Sequence, residues 1–245
     1  MRLAPGLHRV GNDIIAAYLI EAPDGLTLVD AGIAGQYRDL ENELKSMDRR
    51  VEDIRGVVLT HGDTDHIGYA ERLRRERGVP VYVHEADAAR ARGEVSSHPA
   101  WGRWRLGATA RFLWYAMRRE GMRATYLTEV VPVHDGDVLD LPGSPRIVSL
   151  PGHSAGSVAV VVPAVDAVFV GDALTTRHVL TGRRGPQPAP FTDDTDAARG
   201  SHQKLATIDA TWVLPGHGAP WSRGTREIVA ELAGADAAAH RTSAG

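Results

Sequence analysis

Four times the chain runs an apolar, strand-like segment into a sharp turn that carries histidine or aspartate. The strand expected at 56–60 ends in Thr60-His61-Gly62-Asp63-Thr64-Asp65-His66-Ile67-Gly68. Leu150-Pro151-Gly152 is followed by His153, Val168-Phe169-Val170-Gly171 by Asp172, and Val213-Leu214-Pro215-Gly216 by His217. Along a straight strand alternate side chains point to opposite faces, so polar groups clustered on a turn can converge where groups along a strand cannot. Glycine permits the sharp change of direction, and loops at strand ends are where rigid scaffolds gather catalytic groups. Taken singly, His153 or His217 reads as a hydrogen-bonding histidine, Asp172 as a turn cap, and Asp63 and Asp65 as turn formers whose side chains bond nearby backbone. Four recurrences in a chain with 11 histidines argue against that reading. Imidazole and carboxylate suit Zn, Fe and Mn, and two such cations can share one bridging carboxylate.

No cysteine occurs in the 245 residues, so disulfides are excluded and any metal site is built from His, Asp and Glu. A hydrophobic content of 43% and a charged content of 24% are those of an ordinary globular chain. The net charge of −3 gives no electrostatic case for nucleic acid, which favours a strongly basic face. No apolar run approaches the roughly 20 residues needed to cross a bilayer. The N-terminal Met1–His8 also lacks the apolar stretch of a signal peptide. The expectation is a cytoplasmic protein without stable membrane insertion.

Strands are expected at 7–10, 14–21, 26–30, 56–60 and 79–84, with helices at 36–48 and 67–77, so strands and helices alternate. Residues 85–125 read as helical. Strands return at 137–141, 146–150, 157–162 and 165–170. Prolines make 181–195 a long loop. Asp196 is expected to cap a helix running to about 208, before a strand at 211–214 and a helix at 226–239. No linker separates two cores, so residues 1–245 read as one domain of two similar packed layers.

The string at 61–66 resembles the His-x-His-x-Asp-His signature of the metallo-β-lactamase superfamily, and the resemblance spans nearly the whole chain. Val29-Asp30-Ala31-Gly32 resembles the family's early Asp-x-Gly turn. Pro151-Gly152-His153-Ser154-Ala155-Gly156-Ser157, Gly171-Asp172-Ala173-Leu174 and Pro215-Gly216-His217-Gly218 resemble its later elements, in the same order. The resemblance implies an α/β fold, a four-layer αβ/βα sandwich of two mixed β-sheets flanked by helices, with a helical insertion or lid around 85–128. It implies two divalent metal ions, zinc first, with Fe or Mn as alternatives. His61 and His153 would bind one, and Asp65, His66 and His217 the other, with Asp172 bridging. Asp63 stands where the family has its second histidine; as a ligand it would make the first site harder and more anionic, shifting preference towards Fe or Mn. Asp65 is the candidate catalytic group, placed either to ligate or to orient and deprotonate a metal-activated water. Asp30 is expected to orient a ligand histidine, and His178 is a candidate partner for a developing oxyanion.

The implied function is hydrolysis of a small-molecule ester, lactone or thioester. The alternatives are an iron-dependent redox or oxygenase-type enzyme on the same cage, or a β-lactam or phosphodiester hydrolase. A β-lactam is disfavoured because two β-lactamase branches carry cysteine where Asp172 stands. Between 98 and 123, Trp101, Trp104, Phe112 and Tyr115 lie near helical spacing among Arg103, Arg105, Arg111, Arg118, Arg119 and Arg123. This stripe reads as a lid over the metals, as core or homodimer contact, or as a surface that touches anionic lipid.

Overall fold

The computed structural model describes residues 1–96, 102, 104–122 and 124–243; Trp101, Arg103 and Arg123 of the expected lid lie outside them. The chain lays down β1 (Arg2–Ala4), β2 (Leu7–Gly11), β3 (Ala16–Ala22), β4 (Gly25–Val29), α1 (Tyr37–Ser46), β5 (Ile54–Val58), α2 (Ala70–Arg77), β6 (Val81–His84), α3 (Glu85–Ala91), α4 (Leu106–Arg118) and β7 (Val131–Val133). There follow β8 (Arg146–Ser149), β9 (Val158–Val162), β10 (Ala167–Gly171), β11 (Thr175–Arg177), β12 (Arg184–Gln187), α5 (Thr195–Leu205), β13 (Trp212–Pro215) and α6 (Thr225–Ser243).

Two mixed sheets result. One is ordered β1-β2-β3-β4-β5-β6-β7, the other β13-β10-β9-β8, and β11 and β12 form a separate ribbon. In the first sheet β1 to β4 are antiparallel and β4 to β7 parallel. In the second, β10 is parallel to β13 and antiparallel to β9. The central strands are apolar on both faces because both faces are covered. Tyr18, Ile20, Val58, Val160, Phe169 and Leu214 point between the sheets, with the Tyr18 and Phe169 rings 5.4 Å apart. Residues one position away point outward. Leu19 and Val57 meet Leu40, Leu44 and Leu73 of α1 and α2, while Val161, Val168 and Val213 meet Leu205 of α5 and Ile228 and Leu232 of α6. This is the expected four-layer sandwich.

Several expected elements differ. The strand expected at 14–21 begins at Ala16, because Asn12 Oδ1 accepts from Ile14 N and Asn12 N donates to Ile15 O, curling the chain before β3. The helix expected at 67–77 begins at Ala70, since Gly68 N is committed to Gly32 O. No strand forms at 137–141, only an isolated bridge from Val138 to Arg146, because Leu141 N turns back to Leu139 O. The loop expected at 181–195 contains β12, which tolerates Pro186 because it pairs on one side only. The cap of α5 is Asp194, not Asp196: the Asp194 carboxylate accepts from the Asp196 and Ala197 amides. Within 85–125 the described helices are α3 and α4, and Trp104 precedes α4 and is 57% exposed, so the expected aromatic stripe is not one helical face. Among the described residues no helix is long and apolar enough to cross a membrane.

Candidate metal centre

Parallel neighbours end on the same edge of a sheet, so the loops after β4 and β5, and those after β10 and β13, open side by side. The turn after β8 joins them, and Val158 N donates to Thr60 O across the two sheets. The backbone is shaped for close approach. A Cβ at Gly216 would strike the His66 ring and stand 2.8 Å from Asp172 Oδ1, so only glycine lets these loops meet. Asp30 takes a left-handed backbone conformation (φ 60°), unusual for a residue with a side chain. Its carboxylate compensates by accepting from Thr60 N (2.8 Å) and Thr60 Oγ1 (2.9 Å), and it holds His66 Nδ1 at 2.9 Å. Asp30 therefore orients a histidine as expected, and that histidine is His66.

The seven residues expected to ligate converge from these loops. His61, Asp63 and His153 offer atoms within 4.8 Å of one another, and so do Asp65, His66 and His217; His61, His66 and Asp172 form a third such group. Asp63 Oδ2 lies 3.1 Å from His153 Nε2 and 3.5 Å from His61 Nε2. Asp65 Oδ2 lies 3.4 Å from His217 Nε2. Asp172 stands between the groups, with Oδ2 3.2 Å from His217 Nε2 and 3.9 Å from His153 Nε2, and Oδ1 3.5 Å from His66 Nε2.

The donor set fits cations. Among the described residues, His61 Nε2, His66 Nε2, His153 Nδ1 and Asp172 Oδ1 are buried without a hydrogen-bond partner, a costly arrangement unless something else satisfies them. Burial alone would raise the pKa of Asp63 and Asp172, but the neighbouring imidazoles hold both carboxyls well below the usual carboxylate range. Burial would conversely lower His66 and His217, yet Asp30, Asp65 and Asp172 raise His66 to about 9 and His217 well above its ordinary value. Without a cation, imidazolium protons supply the positive charge.

A pH dependence follows. His66 moves from 6.5 to about 9 in the metal-free fold. Its charged pairing with Asp30 is thus fully stabilising below pH 6.5 and is lost as pH rises through about 9. Metal requires the unprotonated imidazole. Metal uptake at pH 7 should therefore release protons, and apparent affinity should climb towards pH 9. Calorimetric titration of metal into stripped protein, in two buffers of different ionisation enthalpy, counts those protons; zero release at pH 7 would contradict the assignment.

Two participants escape sequence reasoning. Arg90 on α3 donates from Nε to Asp63 Oδ1 and from Nη1 to Asp193 Oδ2 (2.7 Å), leaving Asp63 one oxygen to face His61 and His153. Asp87, 1% exposed, accepts from Gly62 N (2.8 Å), Ser154 Oγ (2.7 Å) and Gly156 N (2.8 Å). In the first and last turns of a short helix, Asp87 and Arg90 read as ordinary charged surface residues; the usable signal was that this helix directly follows a parallel strand, at the edge where the cluster itself lies.

A cleft of about 620 Å³ opens over the cluster. Asp63, Asp65 and Arg90 form its polar side, and Ile15, Ile33, Phe112, Leu113 and Met122 are among its apolar residues. Tyr115, three residues beyond Phe112 on α4, is buried instead, its hydroxyl accepting from Asn12 Nδ2 and Gln36 Nε2 at 3.1 Å each. His178 is not among the residues lining the cleft; it sits in the β11–β12 turn, its backbone N bonded to Arg183 O.

The family model of the metallo-β-lactamase superfamily matches residues 10–217. The probable metallo-hydrolase YflN of Bacillus subtilis (strain 168) is 30% identical over 243 residues, covering 94% of this chain and 90% of its own length. Rv2581c of Mycobacterium tuberculosis (strain ATCC 25618 / H37Rv) is 36% identical over 174 residues, 66% of this chain and 68% of that one. In fold the chain resembles the metallo-β-lactamase family protein TTHA1429 from Thermus thermophilus, with a TM-score of 0.70 at 22% identity over 97% of this chain and 81% of that one. TTHA1623, solved in a di-iron-bound form, gives a TM-score of 0.61 at 26% identity over 88% of this chain and 93% of that one.

Proposed function

Because the chain belongs to the metallo-β-lactamase superfamily, we propose that it is a metal-dependent hydrolase of a small ester, lactone or thioester, working with two divalent cations, zinc first. One observation carries the reading: seven His and Asp side chains from separate loops meet in two three-donor groups with Asp172 between them. His61, Asp63 and His153 would hold one cation, and Asp65, His66 and His217 the other. When bound, divalent cations bring the pKa of water down towards neutrality and polarise a carbonyl.

The chain's own groups do the rest. Asp30 fixes the His66 ring through Nδ1, so that Nε2 faces the cluster. His217 is fixed in the same way, its Nδ1 donating to the Ile14 carbonyl. Asp65, at the cleft surface beside His217, either ligates or takes the proton of the attacking water. The apolar side, with Phe112, Leu113 and Met122, receives the uncharged part of the substrate and excludes water from around the reacting carbonyl.

Iron-dependent redox chemistry is the second reading. Asp63, a harder donor than imidazole, favours it, and TTHA1623 is a relative in a di-iron form. Metal analysis of protein from unsupplemented medium, followed by an ester, lactone and thioester panel on the zinc, manganese and iron forms, separates the two. Two cations per chain and turnover by the zinc form are expected. Stoichiometric iron with no turnover of any panel member overturns the hydrolase.

A further inference from the structure

Separate from the cleft lies a depression of about 400 Å³, lined by Arg9, Asn12, Asp13, Ile14, Arg111 and Arg177 among others. Its charge is unbalanced. In the β11–β12 ribbon Arg177 stands directly across from Arg184, and like charges opposite each other on paired strands repel. Arg111 reaches the same place from α4: burial first, then the charges of Arg111 and Arg184, push the Arg177 guanidinium below its ordinary value. Asp13 is the one carboxylate lining the depression, and it is already engaged by Arg9 at 3.0 Å, with Arg184 only at 3.9 Å. Among the described residues neither Arg111 nor Arg177 has a side-chain hydrogen bond or ion pair, although Arg74, Arg90 and Arg119 all find carboxylates. A fold that places four guanidiniums around one occupied carboxylate keeps a standing repulsion that an oxyanion would relieve.

We propose that Arg111, Arg177 and Arg184 form a binding site for a phosphate-bearing small molecule, distinct from the metal cluster. Guanidinium forks match phosphate oxygens in bidentate geometry. Two guanidiniums without a carboxylate partner, and a third that reaches the occupied Asp13 only at 3.9 Å, suit a dianion better than a single carboxylate. The site adjoins the metal cluster. Thr175 Oγ1 contacts both the Arg177 and His217 carbonyls at 2.6 Å, and Ile14, which lines the depression, accepts from His217 Nδ1. Phe112, next to Arg111 on α4, lines the metal cleft. A phosphate held here could belong to a long substrate or to a separate effector. The inference does not depend on the hydrolase reading.

The test is calorimetric titration of pyrophosphate, inorganic phosphate and acetate into metal-loaded protein at low salt, repeated on Arg177→Gln, Arg111→Gln and the remote control Arg226→Gln. Pyrophosphate should bind saturably, one per chain, with acetate far weaker. Each of the two site variants should weaken pyrophosphate by about tenfold, the loss of one charge-assisted fork, and the control should not. Arg177→Gln should also keep its full metal content and, with the cross-strand repulsion gone, should not melt below the wild type in anion-free buffer. Absence of saturable binding overturns the proposal. So does binding that survives both site variants, which would place the anion on the metals. Acetate binding as tightly as pyrophosphate overturns the phosphate assignment. If the site holds, competition between pyrophosphate and a turned-over panel substrate marks a substrate subsite, and its absence an effector site.

Discussion

Asp172→Asn should lower hydrolytic turnover by about a thousandfold, comparable to losing a principal electrostatic contributor at an active site, and should cost the protein at least one of the two proposed cations. Asp172 is the carboxylate within 4 Å of histidines from both three-donor groups: 3.2 Å from His217 and 3.9 Å from His153 through Oδ2. Asparagine keeps its shape but removes the charge and turns one acceptor into a donor aimed at imidazole nitrogens that must stay free for metal. Surrounding histidines outweigh burial and hold the Asp172 carboxyl far below its ordinary range, so the group being replaced carries its charge at neutral pH. The readouts are turnover and metal per chain by elemental analysis. Near-normal turnover with two cations retained would remove Asp172 from the centre of the site.

Asp87→Ala should be the most destabilising single change near the site although Asp87 is not a proposed ligand. Its carboxylate is buried and satisfies three donors, Gly62 N on the loop after β5 and Ser154 Oγ and Gly156 N on the turn between β8 and β9. Each buried donor left unpaired costs about 1–3 kcal/mol, less where water enters, so a total of about 3–5 kcal/mol is expected. For a chain of this length that corresponds to a melting point lower by roughly 6–20 °C. Metal affinity should fall too, since His61 and His153 ride on the two segments Asp87 ties together. Thermal unfolding followed by circular dichroism measures the effect, and a shift under about 2 °C would mean that the neighbouring backbone re-pairs without the carboxylate. Arg90 neighbours Asp87 on the same helix but acts differently: it engages Asp63 from the cleft side, and no backbone donor depends on it.

The ligand cluster was legible because its information is local. Glycine beside His or Asp, after an apolar run, states both the turn and the chemistry within a few residues, as at Gly152-His153 and Gly216-His217. The two-layer arrangement was legible for a related reason, since strands such as Val158–Val162 are apolar at every position and so need cover on both faces. Asp87 and Arg90 were illegible because their partners lie 25 to 103 residues away, and nothing adjacent in sequence distinguishes them from helix-surface charges. The missing strand at 137–141 failed on competition: its alternating pattern is real, but Leu139 N and Leu141 N find nearer partners in Pro145 and Leu139. The register of Arg177 opposite Arg184 likewise depends on a ribbon that proline content argued against.

The donors are divided between the two halves of the sandwich. His61, Asp63, Asp65 and His66 hang from one sheet, and His153, Asp172 and His217 from the other, so neither half alone carries a complete set. Catalytic competence is therefore a property of the seam. A change deep between the layers, at Phe169 or Tyr18 for instance, is expected to lower metal content per chain without touching any donor.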